Sequence, residues 1–221
     1  MKYDVVIFDL DGTILNTLDD LADSLNHVLK ANNFPIHTID EVRMFVGNGI
    51  RKLIERALPQ DADNATRENI YKQFSEYYGQ HSQDKTRPYD GIPELFNELR
   101  NVGIKIAVNT NKDEDIAKVI CEKYFPGMID VIAGGRTDTP IKPDPSGVNR
   151  ILNQLHIKDK AALYVGDSDV DIQTGANCGI DEIGVAWGFR GEEYLREHGA
   201  KTVFSDVEQL KKYILLTSVL F

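Results

Sequence analysis

The sequence predicts an α/β protein, a doubly wound parallel sheet interrupted once by an α-helical insert. Three observations carry this. Short apolar runs without polar alternation recur along the chain, as strands covered on both faces do. Helical patterns separate those runs, and residues 17 to about 85 contain no strand-like run at all. A chain of 221 residues, 42% apolar and 27% charged, can build a main core with a smaller companion unit.

The first run, "VVIF" at 5–8, passes directly into Asp9, Leu10, Asp11 and Gly12. Further strands are expected at 104–109, 129–134, 162–166 and 182–187, with a short one at 202–204, and crossover helices at 92–102, 113–124, 146–155, 169–178 and 191–198. Within the insert, Thr38 and Glu41 have the spacing of a capping box at the head of "TIDEVRMFV". "GIRKLIERALP" repeats Ile50, Leu53, Ile54, Ala57 and Leu58 at helical spacing and stops at Pro59. "RPYDGI" at 87–92 then turns the chain back to the sheet. The expected division is a core of residues 1–15 and 87–221 and a helical cap of residues 16–86. The closing "YILLTSVLF" at 213–221 reads as the end of a docked helix plus a tail, far short of the ~20 residues that span a membrane.

The formal charge of −10, from 35 acidic against 25 basic residues, argues against a nucleic-acid backbone as partner. Cys121 and Cys178 have no metal-type spacing and read as reduced, buried thiols. No stretch resembles an export signal, so the expectation is a cytoplasmic protein with no membrane partner, a monomer or homodimer.

In an open α/β sheet, ligands bind at the carboxyl ends of the strands. That edge gathers Asp9 and Asp11, Thr110 and Asn111 of "AVNTNK", Lys142 of "IKPDPSG", and Asp167 and Asp171 of "YVGDSDVD". Carboxylates brought this close disfavour one another's ionisation unless a cation compensates. A set of oxygens without His or Cys selects a hard ion, and Mg²⁺ with retained waters suits one or two carboxylates plus a phosphate oxygen. Lys142 and the Thr110 hydroxyl are then placed to meet the remaining phosphate oxygens. Asp9 suits attack on phosphorus to give an aspartyl phosphate. Asp11 suits protonation of the leaving oxygen and, later, deprotonation of the hydrolytic water. Gly12 permits a sharp turn and leaves the Asp11 carbonyl available to the metal.

In this order, "DLDGT", "TN", "KPDP" and "GDSDVD" resemble the four motifs of the haloacid dehalogenase-like superfamily of aspartate-nucleophile phosphatases. The resemblance implies a Rossmann-like core. The insert is similar to the small four-helix cap of the branch holding phosphoglycolate phosphatase, pyrophosphatase and β-phosphoglucomutase. It implies Asp9 as nucleophile, Asp11 as general acid/base, Thr110 and Asn111 as phosphate-binding residues and Lys142 as phosphate stabiliser. Asp167 is implied as an Mg²⁺ ligand, while Asp171 either ligates through water or orients Lys142, giving a metal set of Asp9, Asp11, Asp167 and Asp171. Asn16 and Asn109 depart from the pattern. "VGNGIRKLIERAL" and "VAWGFRGEEYL" are most similar to phosphoglycolate phosphatase-like members. They imply a phosphatase of small phosphate monoesters, 2-phosphoglycolate first, with a phosphosugar mutase, a phosphotransferase or an inorganic pyrophosphatase as alternatives. A receiver-type signalling module also sets Thr and Lys around a phosphorylated aspartate, but it lacks both the acid two residues on and the insert. In the cap, Asn48, Gly49 and Arg51 are expected to reach an anionic group of a small phosphorylated metabolite, with Arg43, Lys52 and Arg190 as further candidates.

Overall fold

The computed structural model describes residues 2–158 and 161–219. The elements follow in the order β1 (Val5–Phe8), β2 (Leu15–Asn16), α1 (Leu18–Ala31), α2 (Ile39–Phe45), α3 (Ile50–Ala57), α4 (Asn64–His81), β3 (Arg87–Pro88), α5 (Ile92–Asn101) and β4 (Lys105–Asp113). They continue with α6 (Glu114–Tyr124), β5 (Val131–Gly135), α7 (Ser146–Leu155), β6 (Ala162–Gly166), α8 (Asp169–Cys178), β7 (Asp181–Val185), α9 (Glu192–Glu197), β8 (Val203–Phe204) and α10 (Val207–Val219). The chain divides into one unit of Met1–Leu15 with Pro88–Phe221 and a second of Asn16–Arg87.

The first unit is built on a six-stranded sheet in the order β5-β4-β1-β6-β7-β8, with every pair parallel. From β1 the chain moves outward through β4 to β5, then returns and builds β6 to β8 on the other side. Such a reversal of winding opens a crevice at the carboxyl ends of the central strands. All four residues of β1 are fully buried, because alternate side chains enter two different cores. Val6 and Phe8 join Ile106, Val108, Leu163 and Val165 under Leu95 and Leu99 of α5, Ile120 of α6, and Leu210 and Ile214 of α10. Val5 and Ile7 join Ala107, Ala162 and Tyr164 over Val148, Ile151 and Leu152 of α7. This explains why the strands read as continuous apolar runs.

Two features differ from the sequence reading. The strand expected to end at residue 109 runs on to Asp113. It pairs regularly with β1 only as far as Phe8↔Val108, and its register to β5 shifts between Asn109 and Asp113. The extra residues are held by backbone pairing while their polar side chains mimic a loop. Cys121 is buried, but Cys178, expected to be buried as well, is partly exposed at the end of α8. Of the closing segment 213–221, Ile214 is buried in the core, and residues 220 and 221 lie outside the described residues. No described helix is long and apolar enough to cross a membrane.

The second unit is a four-helix unit of α1 to α4. Thr38 and Glu41 form the capping box that starts α2, and Gly49, at φ +81°, precedes α3. Asn16 accepts from Leu18 N at 3.3 Å and so supports the start of α1. Leu21, Leu25, Val28 and Leu29 of α1 and Ile70, Phe74 and Tyr78 of α4 supply buried side chains. A charged group completes this unit. Asp20 is almost fully buried and accepts hydrogen bonds from Lys85 N at 2.9 Å and Thr86 N at 2.8 Å, tying the last stretch of the unit to its first helix. Asp20→Ala strips two amides of their acceptor and should lower unfolding stability by about 2–4 kcal/mol, with Asp20→Asn costing less. Denaturant titration checks this, and a loss below about 1 kcal/mol for the alanine variant would contradict it.

Candidate active site

Three neighbouring strands, β4, β1 and β6, each release a polar group at the crevice. Asp9 stands one residue past β1, its amide donating to Val165 O at 2.9 Å, so the backbone of β6 fixes where its side chain begins. One oxygen apiece from Asp9, Asp167 and Asp171 lies within 4.8 Å of the others, and all three residues are buried. Lys142 stands inside this group, its Nζ 2.8 Å from Asp9 Oδ1 and 2.7 Å from Asp171 Oδ1.

Each partner is itself held. Asp171 is the third residue of α8 and accepts from Ser168 N at 3.1 Å and Ser168 Oγ at 2.6 Å, in a capping box that doubles as a clamp. Asp167 Oδ1 accepts from the Thr13 hydroxyl at 3.0 Å and Oδ2 from Phe189 N at 2.7 Å. A Cβ on Gly12 would lie 2.4 Å from Asp167 Oδ2, and Gly12 also has φ +88°, so the "DG" turn serves both backbone and clearance. The Asn111 amide staples the Lys142 segment to β4, accepting from Lys142 N at 2.8 Å and donating to Lys142 O at 3.3 Å. Thr110 is buried, its hydroxyl accepting from Lys112 N at 3.2 Å. Asn109, a departure from the expected pattern, lies beneath these groups, where its Nδ2 is 3.4 Å from Tyr164 Oη.

The electrostatics follow from this crowding. Burial, then the Asp171 charge, pushes Asp9 well above the carboxylate range, although Lys142 pulls the other way. Burial and Asp171 raise Asp167 to about 7. Burial works against the Lys142 ammonium too, but Asp171 and Asp9 outweigh it and hold Lys142 above the ordinary lysine value. Three carboxylates therefore share one ammonium. Asp9 Oδ1 is buried, with the Lys142 ammonium 2.8 Å away. An all-oxygen set with an excess of negative charge fits a hard divalent cation.

Asp11 lies apart from the trio. Its carboxylate Oδ1 is 3.0 Å from Lys112 Nζ, a residue the sequence reading did not single out. The signal was present: Lys112 continues the alternation of Ile106, Val108 and Thr110 on one face of β4, where a lysine is out of place. The Phe189 amide left no such signal, since backbone donors have no residue code. In the second unit, Arg51 pairs with Glu68 and lies 4.1 Å over the Tyr71 ring, while Asn48 Oδ1 accepts from Arg56 at 2.8 Å.

A family model for the haloacid dehalogenase-like hydrolases matches residues 6–185. The phosphoglycolate phosphatase of Aquifex aeolicus is 34% identical over 186 residues, covering 84% of this chain and 85% of that protein. The phosphoglycolate phosphatase of Mesorhizobium japonicum is 34% identical over 216 residues, covering 95% and 94%. Among solved structures, a protein of Lactobacillus delbrueckii subsp. bulgaricus superposes with a TM-score of 0.93 at 33% identity, covering 97% of this chain and 99% of that one. The chain belongs to the haloacid dehalogenase-like hydrolase family. Within it, this is a phosphoric monoester hydrolase similar to the phosphoglycolate phosphatases.

The raised carboxyl groups set a pH signature. A folded-state pKa of about 7 for Asp167 means that the native protein keeps a proton which the unfolded chain releases near the ordinary value of 3.8. That contribution is present at low pH and is lost as pH rises through about 7. In excess chelator the melting temperature should fall between about pH 5 and pH 8, and Asp167→Asn should flatten the fall. Thermal melts across that range decide it, and a melting temperature that rises with pH in both proteins would refute the assignment.

Proposed function

We propose that this hydrolase cleaves small phosphate monoesters with Mg²⁺ through an aspartyl phosphate on Asp9, and that 2-phosphoglycolate is its preferred substrate. The single observation that carries the chemistry is the convergence of Asp9, Asp167 and Asp171 on one point with Lys142 among them. Asp9, Asp167 and the Asp11 backbone carbonyl would hold Mg²⁺, which supplies positive charge to the phosphate oxygens and to the crowded carboxylates. Asp171 would orient Lys142, with which it pairs at 2.7 Å, and would contribute to the metal through water.

In the first half, an Asp9 carboxylate oxygen forms a bond to phosphorus as the bond to the leaving oxygen breaks, and Asp11 gives that oxygen its proton. Lys142 and Thr110 bind the phosphoryl oxygens, where charge develops. In the second half, Asp11 takes a proton from water, the water oxygen bonds to phosphorus, and Asp9 is released as its own P–O bond breaks. Asn111 contributes by holding the Lys142 segment at the phosphate.

Phosphate-release assays test this directly. Chelation should abolish turnover and Mg²⁺ restore it, and Asp9→Asn should remove at least about 10³-fold of kcat together with any trapped phosphoenzyme. Asp11→Asn should retain phosphorylation of Asp9 by esters with good leaving groups. Full activity in chelator, or wild-type turnover by Asp9→Asn, overturns the mechanism.

The substrate reading is supported by the similarity to phosphoglycolate phosphatases of other organisms. A carboxylate on the leaving group calls for a cation. We assign that role to Arg51, beside the turn at Asn48 and Gly49, with the substrate competing against Glu68 for the guanidinium. Arg51→Ala should lower kcat/KM for 2-phosphoglycolate about 10-fold more than for an uncharged aryl phosphate. Equal losses would remove Arg51 from the site. Faster turnover of pyrophosphate or a hexose phosphate, or return of the phosphoryl group to a sugar, would replace the substrate and leave the Asp9 chemistry in place.

A further inference from the structure

Among the described residues of the first unit two lysines are buried, and each faces a different aspartate of the opening motif. Lys142 meets Asp9 at 2.8 Å and Lys112 meets Asp11 at 3.0 Å. Both lysine side chains are 3% exposed, and Asp11 is 16% exposed. Removing an ammonium from water costs several kcal/mol unless a partner compensates, so a lysine at this position of a strand needs a reason.

Packing alone supplies none. Lys112 follows Ile106, Val108 and Thr110 along β4, and Ile106 and Val108 enter the apolar core with Ile120 and Cys121 of α6. A leucine would extend that core without the desolvation penalty. The Lys112 amide donates to the Thr110 hydroxyl at 3.2 Å, so its backbone is fixed beside a residue assigned to phosphate binding. Cys121 registers the same pair from the other side: burial lifts its thiol to about 12, with Asp11 raising it further and Lys112 opposing.

We propose that Lys112 is a positioning residue for Asp11. Its ammonium, carried on β4 past the end of its pairing with β1, holds the Asp11 carboxyl away from the crowded trio and at the place from which it serves the leaving oxygen. The inference rests on the phosphatase reading and adds to it a second cation, tied to the acid/base group and not to the nucleophile. No bond other than those of the two half-reactions is made or broken. The proton delivered to the leaving oxygen comes from Asp11, and Lys112 keeps its own three.

The test uses leaving-group dependence, because kcat/KM reports the phosphorylation half alone. Lys112→Met keeps the apolar stem and the volume while removing the charge. It should lower kcat/KM about 10- to 100-fold for an alkyl phosphate, whose leaving oxygen needs a proton, and by less than about 3-fold for 4-nitrophenyl phosphate, whose leaving group does not. Lys112→Arg should recover most of the alkyl phosphate rate. Asp9→Asn is the reference variant and should lose both substrates alike. If Lys112→Met loses both substrates equally, or neither, Lys112 does not position Asp11 and the phosphatase reading stands. If the wild-type enzyme turns over neither ester in Mg²⁺, the phosphatase reading falls and this inference falls with it.

Discussion

The constraint on which the rest of the structure depends is the confinement of three buried carboxylates around one ammonium. Like charges this close drive protons onto one another, and burial compounds the effect. A protein selected for stability alone would replace the cluster with apolar side chains, as buried ion pairs often permit. Here the cluster is instead braced from all sides. Ser168 grips Asp171, Thr13 and the Phe189 amide grip Asp167, and the Asn111 amide grips the backbone of Lys142. Glycine provides the clearance. A Cβ on Gly166 would meet Asp171 Cγ at 2.3 Å, and one on Gly188 would meet Asp167 Cβ at 2.3 Å.

The sheet supplies the rigidity this bracing needs. β1 lies between β4 and β6 and is buried on both faces, so Asp9 starts from a strand paired on both sides. Its neighbours deliver the other groups by simple extension. β4 continues past the end of β1 to present Thr110 and Lys112, and β6 ends at Gly166, directly before Asp167. A site assembled from three adjacent parallel strands inherits their spacing, whereas the same groups on free loops would have to be held by side-chain contacts alone.

This division also explains what could be read in the sequence. The strands of the sheet were legible because double-sided burial leaves an uninterrupted apolar run such as "VVIF" or "ALYVG", and the helices because their caps and spacing are local. The convergence of Asp9, Lys142, Asp167 and Asp171 was legible because polar residues at and just beyond strand ends concentrate on one edge. The end of β4 was not, since "TNKD" is polar and is kept in the sheet by backbone pairing alone. Lys112 was marked only by its place in the alternation of Ile106, Val108 and Thr110, a signal that counts once the strand is known to continue, and Phe189 left none because it works through its amide. The second unit was legible in its capping box at Thr38, but not in Asp20, an apparently ordinary surface acid that is buried against backbone amides from residues 65 and 66 positions later.

Two aspartates separated by a single leucine could be expected to share one environment. They do not, and the backbone is the reason. Thr13 N, Ile14 N and Leu15 N all converge on the Leu10 carbonyl, while Gly12 N donates to Leu15 O, so the chain coils immediately after Asp9. Leu10 is fully buried and anchors that coil in the core. Asp9 thereby remains on the line of the strand, enclosed with Lys142, and Asp11 is carried around the turn to a wetter position opposite Lys112. Under the proposed mechanism these surroundings suit the two roles, since a group that attacks phosphorus gains from a buried, charge-balanced place, whereas one that exchanges protons with a leaving alcohol and then with water must stand where both can reach it. One turn of backbone, closed by Gly12, is enough to give the two identical side chains those different surroundings.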